Sequence, residues 1–333
     1  MSRNDSTGGW APACPLQALH ARARMLQAIR LFFQDRNVLE VETPNLCRST
    51  GTDPNLQFFS SRYHGPGAQA GLNVYLQTSP EFAMKRLLAA GSGPIFQVCK
   101  AFRNTESGRF HNPEFTILEW YRPGFTLDEL MDETEALLFM LLNPTVQLKT
   151  SERSRYATVF RAHAGVDPLT ANLAEFEACA AEHRLMEAAG VCGSERSAWL
   201  DFLFSHLVQP QLGRECISMI YDYPACQSAL ARLRPENPAV AERVEVFVEG
   251  GELANGFYEL ADATEQERRF EEDLIERKRR GLPLPDKDRR FLAALKAGLP
   301  QCSGIAVGLD RVLMLICGAP VIDDILAFPL KQT

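Results

Sequence analysis

Leu16, Leu19, Ala23, Leu26, Ile29 and Phe33 recur every three or four residues, the spacing of one helix face, while Arg22, Arg24, Arg30 and Arg36 fall on the others. A short β-type run, Val38 to Glu42, follows and ends at Thr43-Pro44, where proline stops ladder pairing or marks an edge. Ser79-Pro80-Glu81 predicts a second helix start: serine suits the cap, proline the first helical position, and glutamate the positive end. That helix runs through Phe82, Met84, Leu87 and Leu88 and stops at Gly91. From Ile95 to Arg103 the pattern alternates. Phe96, Val98 and Phe102 take one face of a strand, and Gln97, Cys99, Ala101 and Arg103 take a face open to something polar. A turn-rich loop over 104–113 leads to a second strand, Glu114 to Arg122, with Phe115, Ile117, Glu119 and Tyr121 on one side. The pair reads as a hairpin.

Thr126-x-x-Glu129 is a capping box heading a helix from Leu127 to Leu142. Residues 143–220 hold helical stretches over 174–189 and 198–208 to which no chemistry is assigned. Val244 to Val248 and Glu252 to Leu260 predict another strand pair, turning at Gly250-Gly251. A charged helix over 264–280 follows, then a strand, Gly304 to Leu309, running into a helix from Arg311 to Cys317. Hairpins interleaved with helices predict the α+β class, an antiparallel sheet flanked by helices. Residues 1–15 read as a flexible tail and 16–333 as one domain.

Composition narrows the function classes. The chain has 333 residues, 46% apolar and 23% charged, ample for a sizeable core. The net charge of −7 gives no general attraction to a phosphate backbone or an anionic membrane. The nine cysteines contain no Cys-x-x-Cys, so neither a zinc knuckle nor a redox pair is written here. No signal peptide and no membrane-spanning run are recognisable, and a reducing cytoplasm is the expected location.

Three segments look chemical. Phe102-Arg103-Asn104-Thr105-Glu106 and Gly108 to Phe115 place a guanidinium on a polar strand face, with Arg109 and His111 in the following loop. Such a fork suits phosphate oxygens, although a solvated hairpin tip explains the loop equally well. Gly304-Ile305-Ala306-Val307-Gly308-Leu309-Asp310-Arg311 puts small residues at alternate positions of a strand. A flat ligand or another backbone can approach there, and Arg311 can lay a cation over a ring; tight strand–helix packing is the plainer explanation. Glu245 and Glu252 fall on opposite arms of one hairpin and, if they face, can share a magnesium ion. Simple alternation sets Asn255 and Glu259 on the face opposite Glu252, and a bulge near the glycines would reconcile them.

Taken in order, these segments resemble the class II aminoacyl-tRNA synthetase catalytic core. The first helix and strand look like its dimer-building first motif, the Arg103 hairpin like its second, and Gly304 to Arg311 like its third. Thr78 to Glu81, His111 to Phe115 and Glu252-Leu253-Ala254-Asn255-Gly256-Phe257 are similar to lysyl-tRNA synthetases. The likeness is closest to their short paralogue family, ligases that attach (R)-β-lysine to elongation factor P. It spans roughly 16–125 and 221–330, and the helical segment between matches poorly. Ala306, where lysyl-tRNA synthetases have glycine, and Tyr223 to Ser228 favour the paralogue. No anticodon-binding barrel is expected before the core.

The resemblance implies an ATP-dependent, AMP-forming ligase that takes lysine or (R)-β-lysine, uses magnesium, and acts as a homodimer on elongation factor P. Arg103 would hold the α-phosphate, and Phe115 and Arg311 would sandwich the adenine. Asn104, Thr105, Asn112, Leu253 and Gly308 would line the nucleotide site, with Arg109 and His111 near the outer phosphates. Glu245 and Glu252 would carry the magnesium. Ser79, Pro80, Glu81, Glu119, Tyr121, Asn255 and Glu259 would form the amino-acid pocket, with Ala306 at its floor. The family's usual glutamate two residues after the motif arginine is Thr105 here, leaving the adenine amino group to Glu106 or to backbone. Two other functions stay open on sequence grounds: a synthetase core charging tRNA with a separate partner, and a non-catalytic amino-acid-binding regulator.

Overall fold

The computed structural model describes residues 10–333, so most of the expected N-terminal tail lies outside the described residues. From Trp10 to Pro15 the chain is non-helical, yet Cys14 is buried and the Ala13 N–H donates to the Ala327 carbonyl at 2.7 Å. Helix α1 (Leu16–Gln34) then leads into a very short β1 (Leu39–Glu40). Strands β2 (Leu46–Cys47), β3 (Ser60–Tyr63) and β4 (Leu72–Leu76) form a small antiparallel sheet that the periodicity did not reveal. Helix α2 (Glu81–Ala89) precedes the hairpin β5 (Ile95–Phe102) and β6 (Glu114–Pro123). The capping box forms as written: Thr126 and Glu129 exchange hydrogen bonds at the head of α3 (Leu127–Leu142).

The segment after α3 is broken more finely than its pattern suggests. It contains β7 (Thr150–Arg155), α4 (Tyr156–Ala164), α5 (Leu173–Glu182), α6 (Ala188–Cys192) and α7 (Arg196–Leu203), which ends in a wide helical turn over Phe204–Val208. Then come β8 (Cys216–Pro224), β9 (Leu233–Arg234) and the long hairpin β10 (Asn237–Val248) and β11 (Gly251–Tyr258). Helices α8 (Ala263–Arg279) and α9 (Arg289–Gly298), strand β12 (Cys302–Gly308) and helix α10 (Leu309–Cys317) complete the fold.

Among the described residues the main sheet has nine strands, ordered β1-β5-β6-β12-β11-β10-β8-β7 with β9 paired to β10. It is antiparallel through its centre, as expected, but β1 pairs with β5 and β7 with β8 in parallel at the two edges. One face buries Phe96, Leu118, Trp120, Val244, Val246 and Val307 under α1, α3 and α10. At one end of the other face, α2, α8 and α9 pack around Met84, Phe270 and Phe291. The helices after β7 have their own apolar cluster, which rests on Ile220, Tyr223 and Phe247 of β8 and β10.

Arg22 does not simply face solvent as its position on α1 suggests. Its guanidinium pairs with Asp310 Oδ1 at 2.6 Å, while Asp310 Oδ2 accepts from the Thr116 N–H at 2.7 Å. A single buried carboxylate thus ties α1, β6 and α10 together.

Candidate active site

Between the helix clusters, the open sheet face forms one wall of a cavity of about 990 Å³. Alternation decides which residues reach it. Phe115, Ile117, Glu119 and Tyr121 of β6 line it, whereas Leu118 and Trp120 go to the core on the other side. Register then assembles a row: Glu119 stands opposite Ala306, and Ala306 opposite Asn255.

The acidic end is built by three elements. Ser79 lies one residue ahead of Pro80, the N-cap of α2, and accepts from the Glu81 N–H at 3.1 Å, while its hydroxyl donates to Glu119 Oε2 at 2.8 Å. Tyr121 donates its hydroxyl to Glu119 Oε1 at 2.6 Å. Glu259, just after β11, completes the set with Glu81. A group that sequence reasoning missed lies among them. Lys85, one turn after Glu81, is fully buried and its ammonium meets Glu81 Oε1 and Glu259 Oε2, each at 2.5 Å. Its signal was the i, i+4 spacing from Glu81, which on a surface helix marks only a weak ion pair. Buried, such a contact is structural: breaking it costs about 3–5 kcal/mol.

Burial and crowding set the charge here. Burial, followed by the nearby Glu81, raises Glu119 to about 7. Burial also raises Glu259 to about 8, although Lys85 pulls the other way. Burial opposes the charged form of Lys85, but Glu259 and Glu81 together outweigh it and hold the ammonium above its usual range. Three carboxylates against one ammonium leave a site that accepts further cationic groups.

The other end of the cavity carries the two arginines. Arg103 and Arg311 both line it. The Arg103 guanidinium lies 5.1 Å from the centre of the Phe115 ring and 3.8 Å from Glu106. Arg311, in the first turn of α10, donates to the Glu252 carbonyl at 2.6 Å and meets His111 Nε2 at 2.7 Å. Burial and then Arg311 push the His111 imidazole below its ordinary value, which leaves it a neutral partner for that guanidinium. Asn112 is buried and fixes the loop, donating to the Glu114 carbonyl at 2.6 Å and accepting from the Leu330 N–H at 3.2 Å. Leu253 and Gly308 also reach the cavity.

The expected irregularity brings Glu252, but not Glu245, to the cavity. Val246 pairs with Ala254 but Phe247 pairs with Glu252, so Leu253 is an extra residue in β11. Leu253 and Ala254 both join the core, and Glu252 shares the cavity with Asn255. Glu245 stands directly across from Asn255 but behind Arg243: its carboxylate pairs with that guanidinium and accepts from the Tyr223 hydroxyl at 2.6 Å. Burial raises Glu245, and Glu252 adds to the effect against Arg243. Arg243, also missed from sequence, further donates to Asn255 Oδ1 at 3.2 Å.

Not every candidate reaches the wall. Arg109 turns outward to the Pro320 carbonyl, to which it donates at 2.9 Å. Asn104 and Thr105 are exposed at the rim. Thr105 has a φ of +68°, uncommon for a β-branched residue, and Glu106 rather than Thr105 lines the cavity. Gly304 does not admit a ligand, because a Cβ there would strike the Tyr121 ring and Glu259. All three small residues of the stripe line the cavity, but Gly304 lies under the Tyr121 ring and Glu259, whereas a Cβ at Gly308 would meet nothing closer than 3.8 Å. Among the described residues no three His, Cys, Asp or Glu side chains gather as a ready-made metal site, and no helix is long and apolar enough to cross a membrane.

Residues 15–332 match the family described as tRNA synthetases class II (D, K and N). Proteins named elongation factor P--(R)-beta-lysine ligase from Klebsiella pneumoniae subsp. pneumoniae and Yersinia enterocolitica are each 48% identical over 326 residues, covering 98% of this chain and 99% of the relative. This chain belongs to that ligase family. A further member, from Salmonella arizonae, is 46% identical over 328 residues, with 98% of this chain and 99% of the relative covered. The likeness therefore runs through the helical segment after α3, which the sequence motifs alone left unmatched. The α+β sheet of the ligase fits the class II core, and membership in that class implies the use of ATP.

Proposed function

We propose that the chain adenylates (R)-β-lysine, or lysine, and transfers it to the ε-amine of a lysine on elongation factor P. The observation that carries this reading is one cavity with a carboxylate-rich pocket at one end and Arg103 and Arg311 at the other. The pocket suits a substrate bearing two ammonium groups; the arginines suit a triphosphate.

Glu81, Glu119, Glu259 and Asn255 hold and orient the two amino groups, with Ser79, Pro80 and Tyr121 shaping the pocket. The substrate carboxylate is thereby aimed at the α-phosphorus. Its oxygen forms the new P–O bond as the bond to pyrophosphate breaks, and Arg103 stabilises the charge that builds on the α-phosphate. Phe115 and Arg311 flank the adenine, with Leu253, Gly308, Asn112 and His111 around the nucleotide. The acceptor amine then attacks the activated carbonyl, AMP leaves, and an isopeptide bond remains. Glu245 and Glu252 fit a magnesium ion in the chemistry of their donors. Burial raises Glu245 and Glu252 adds to that against Arg243, a charge a divalent cation would offset, and magnesium commonly takes one or two carboxylates beside phosphate oxygens. Bound there, the ion would neutralise phosphate charge.

We further propose a cytoplasmic homodimer built through α1 and β1, where Leu31 and Leu39 are each more than half exposed. Leu31→Asp combined with Leu39→Asp should convert a dimer to a monomer in sedimentation velocity. The principal test supplies ATP, (R)-β-lysine or lysine, and either elongation factor P or tRNA, and reads the acceptor by mass. A lysyl increment on the factor alone supports the reading; charging of tRNA alone overturns it.

A further inference from the structure

We infer that Lys85 is a positioning residue that serves as the internal counter-ion of the acidic pocket, leaving it matched to substrates with two cationic groups. The inference rests on the diamino-acid reading of the cavity. Its ground is geometric. Lys85 is fully buried and touches Glu81 on its own helix and Glu259 beyond β11, each at 2.5 Å, with no water-exposed face through which its charge could be screened. The other polar groups facing it are Glu119 of β6 and Cys302 of β12, Tyr121 faces the three carboxylates, and from α9 the Phe291 ring lies 5.9 Å away. No cation other than Lys85 makes an ion pair with these three carboxylates among the described residues.

Counting formal charge, Glu81, Glu119 and Glu259 supply three negatives and Lys85 one positive. Two negatives remain, one for each ammonium of lysine or (R)-β-lysine. An amino acid with a single ammonium leaves one buried carboxylate uncompensated, which that carboxyl answers by holding a proton. Lys85 does more than subtract a charge. It bridges α2 to the end of β11, so it fixes the separation of the two carboxylates between which a substrate amine must fit. Lys85 also lowers the proton affinity of Glu119 and Glu259. Without it both carboxyls keep their protons to higher pH, and the pocket is less often in the ionised form that grips a diamine.

The experiment compares wild type, Lys85→Met and Lys85→Arg in pyrophosphate exchange with 3,6-diaminohexanoic acid and with 3-aminohexanoic acid, which lacks the terminal amine, across pH. Lys85→Met is expected to raise KM for the diamine at least tenfold at neutral pH with kcat changed less than threefold. The acidic limb of its kcat/KM profile should move up by about one pH unit. Lys85→Arg should keep the wild-type limb. The wild type should favour the diamine over the monoamine at least a hundredfold, and Lys85→Met should narrow that ratio. A folded Lys85→Met with an unmoved limb and an unchanged ratio overturns the inference, because a purely structural lysine would shift melting alone. If Lys85→Met does not fold, a folded Lys85→Arg with a displaced limb overturns it and a retained limb supports it. Failure of the underlying site reading looks different: the wild type itself shows no exchange with lysine or either 3-amino acid, and the inference falls with it.

Discussion

Ala306 and Glu119 are register partners across β12 and β6, so the alanine methyl group stands beside a buried carboxylate of the cavity wall. Removing that methyl opens room where the substrate backbone and its amino group lie in the proposed pose. Ala306→Gly should therefore shift kcat/KM toward α-lysine relative to (R)-β-lysine by about tenfold, the usual effect of one methyl-sized change in a pocket. Competitive exchange assays with both isomers measure it, and an unaltered ratio would remove Ala306 from the selectivity argument.

Arg103 is partly exposed and its closest carboxylate, Glu106, is 3.8 Å away. An ion pair of that length and exposure adds little to folding, within about 1 kcal/mol. Aimed at a phosphate in the transition state, the same guanidinium matters far more. Arg103→Ala is expected to lower the exchange rate about a hundredfold to a thousandfold, with a melting temperature close to wild type. Near-normal exchange in a well-folded variant would refute the assignment.

Glu119 at about 7 and Glu259 at about 8 both stand above the ordinary carboxyl value of 4.5. Between the ordinary value and these raised ones the folded chain holds more protons than the unfolded chain, so its stability falls as pH rises through 7 and 8. A bound diamine offsets that loss because it is gripped by the ionised forms. The rise in melting temperature produced by saturating lysine should thus be larger at about pH 8.5 than at about pH 6. Differential scanning fluorimetry in matched buffers reads this directly, and a ligand shift that shrinks over the interval contradicts the proposed protonation states.

Gly304 is where backbone must be bare. A Cβ there would run into the Tyr121 ring and stand 2.6 Å from Glu259 Oε1, both parts of the acidic pocket. Gly304→Ala should cost about 1–3 kcal/mol through overpacking. It should also raise KM for the diamine at least tenfold by displacing those two side chains. Urea unfolding and exchange kinetics measure the two effects separately; a variant with wild-type KM would show that the pocket yields without consequence.

Much of this was legible in the chain. The stripe of α1, the alternation of β5 and β6, and the Thr126 box each state their geometry locally, because period and capping chemistry act within a few residues. The carboxylates that line the acidic pocket were legible too, but through resemblance and not through spacing. What stayed hidden depends on contacts distant in sequence. The strand Ser60–Tyr63 is exposed along its whole length and shows no alternation. Strand β8 is buried on both faces, with Ser218 and Asp222 among its buried residues, so it shows no alternation to read. Lys85 looks like any solvent lysine until Glu259, far along the chain, closes over it. Arg22 likewise acquires its partner Asp310 only when α1 packs beside α10. Helix α9 was readable in retrospect: Asp288 caps it, and Phe291, Leu292 and Leu295 mark its buried side.

The extra residue in β11 has a consequence for anyone seeking to transplant this chemistry. On a regular two-stranded ribbon, Glu252 and Asn255, three apart, would project from opposite sides, and the same letters would yield half a site. The insertion at Leu253 cancels that parity. A graft onto another scaffold must therefore carry the irregular backbone together with its side chains, and deletion of Leu253 alone should silence the enzyme while leaving every charged group in the sequence.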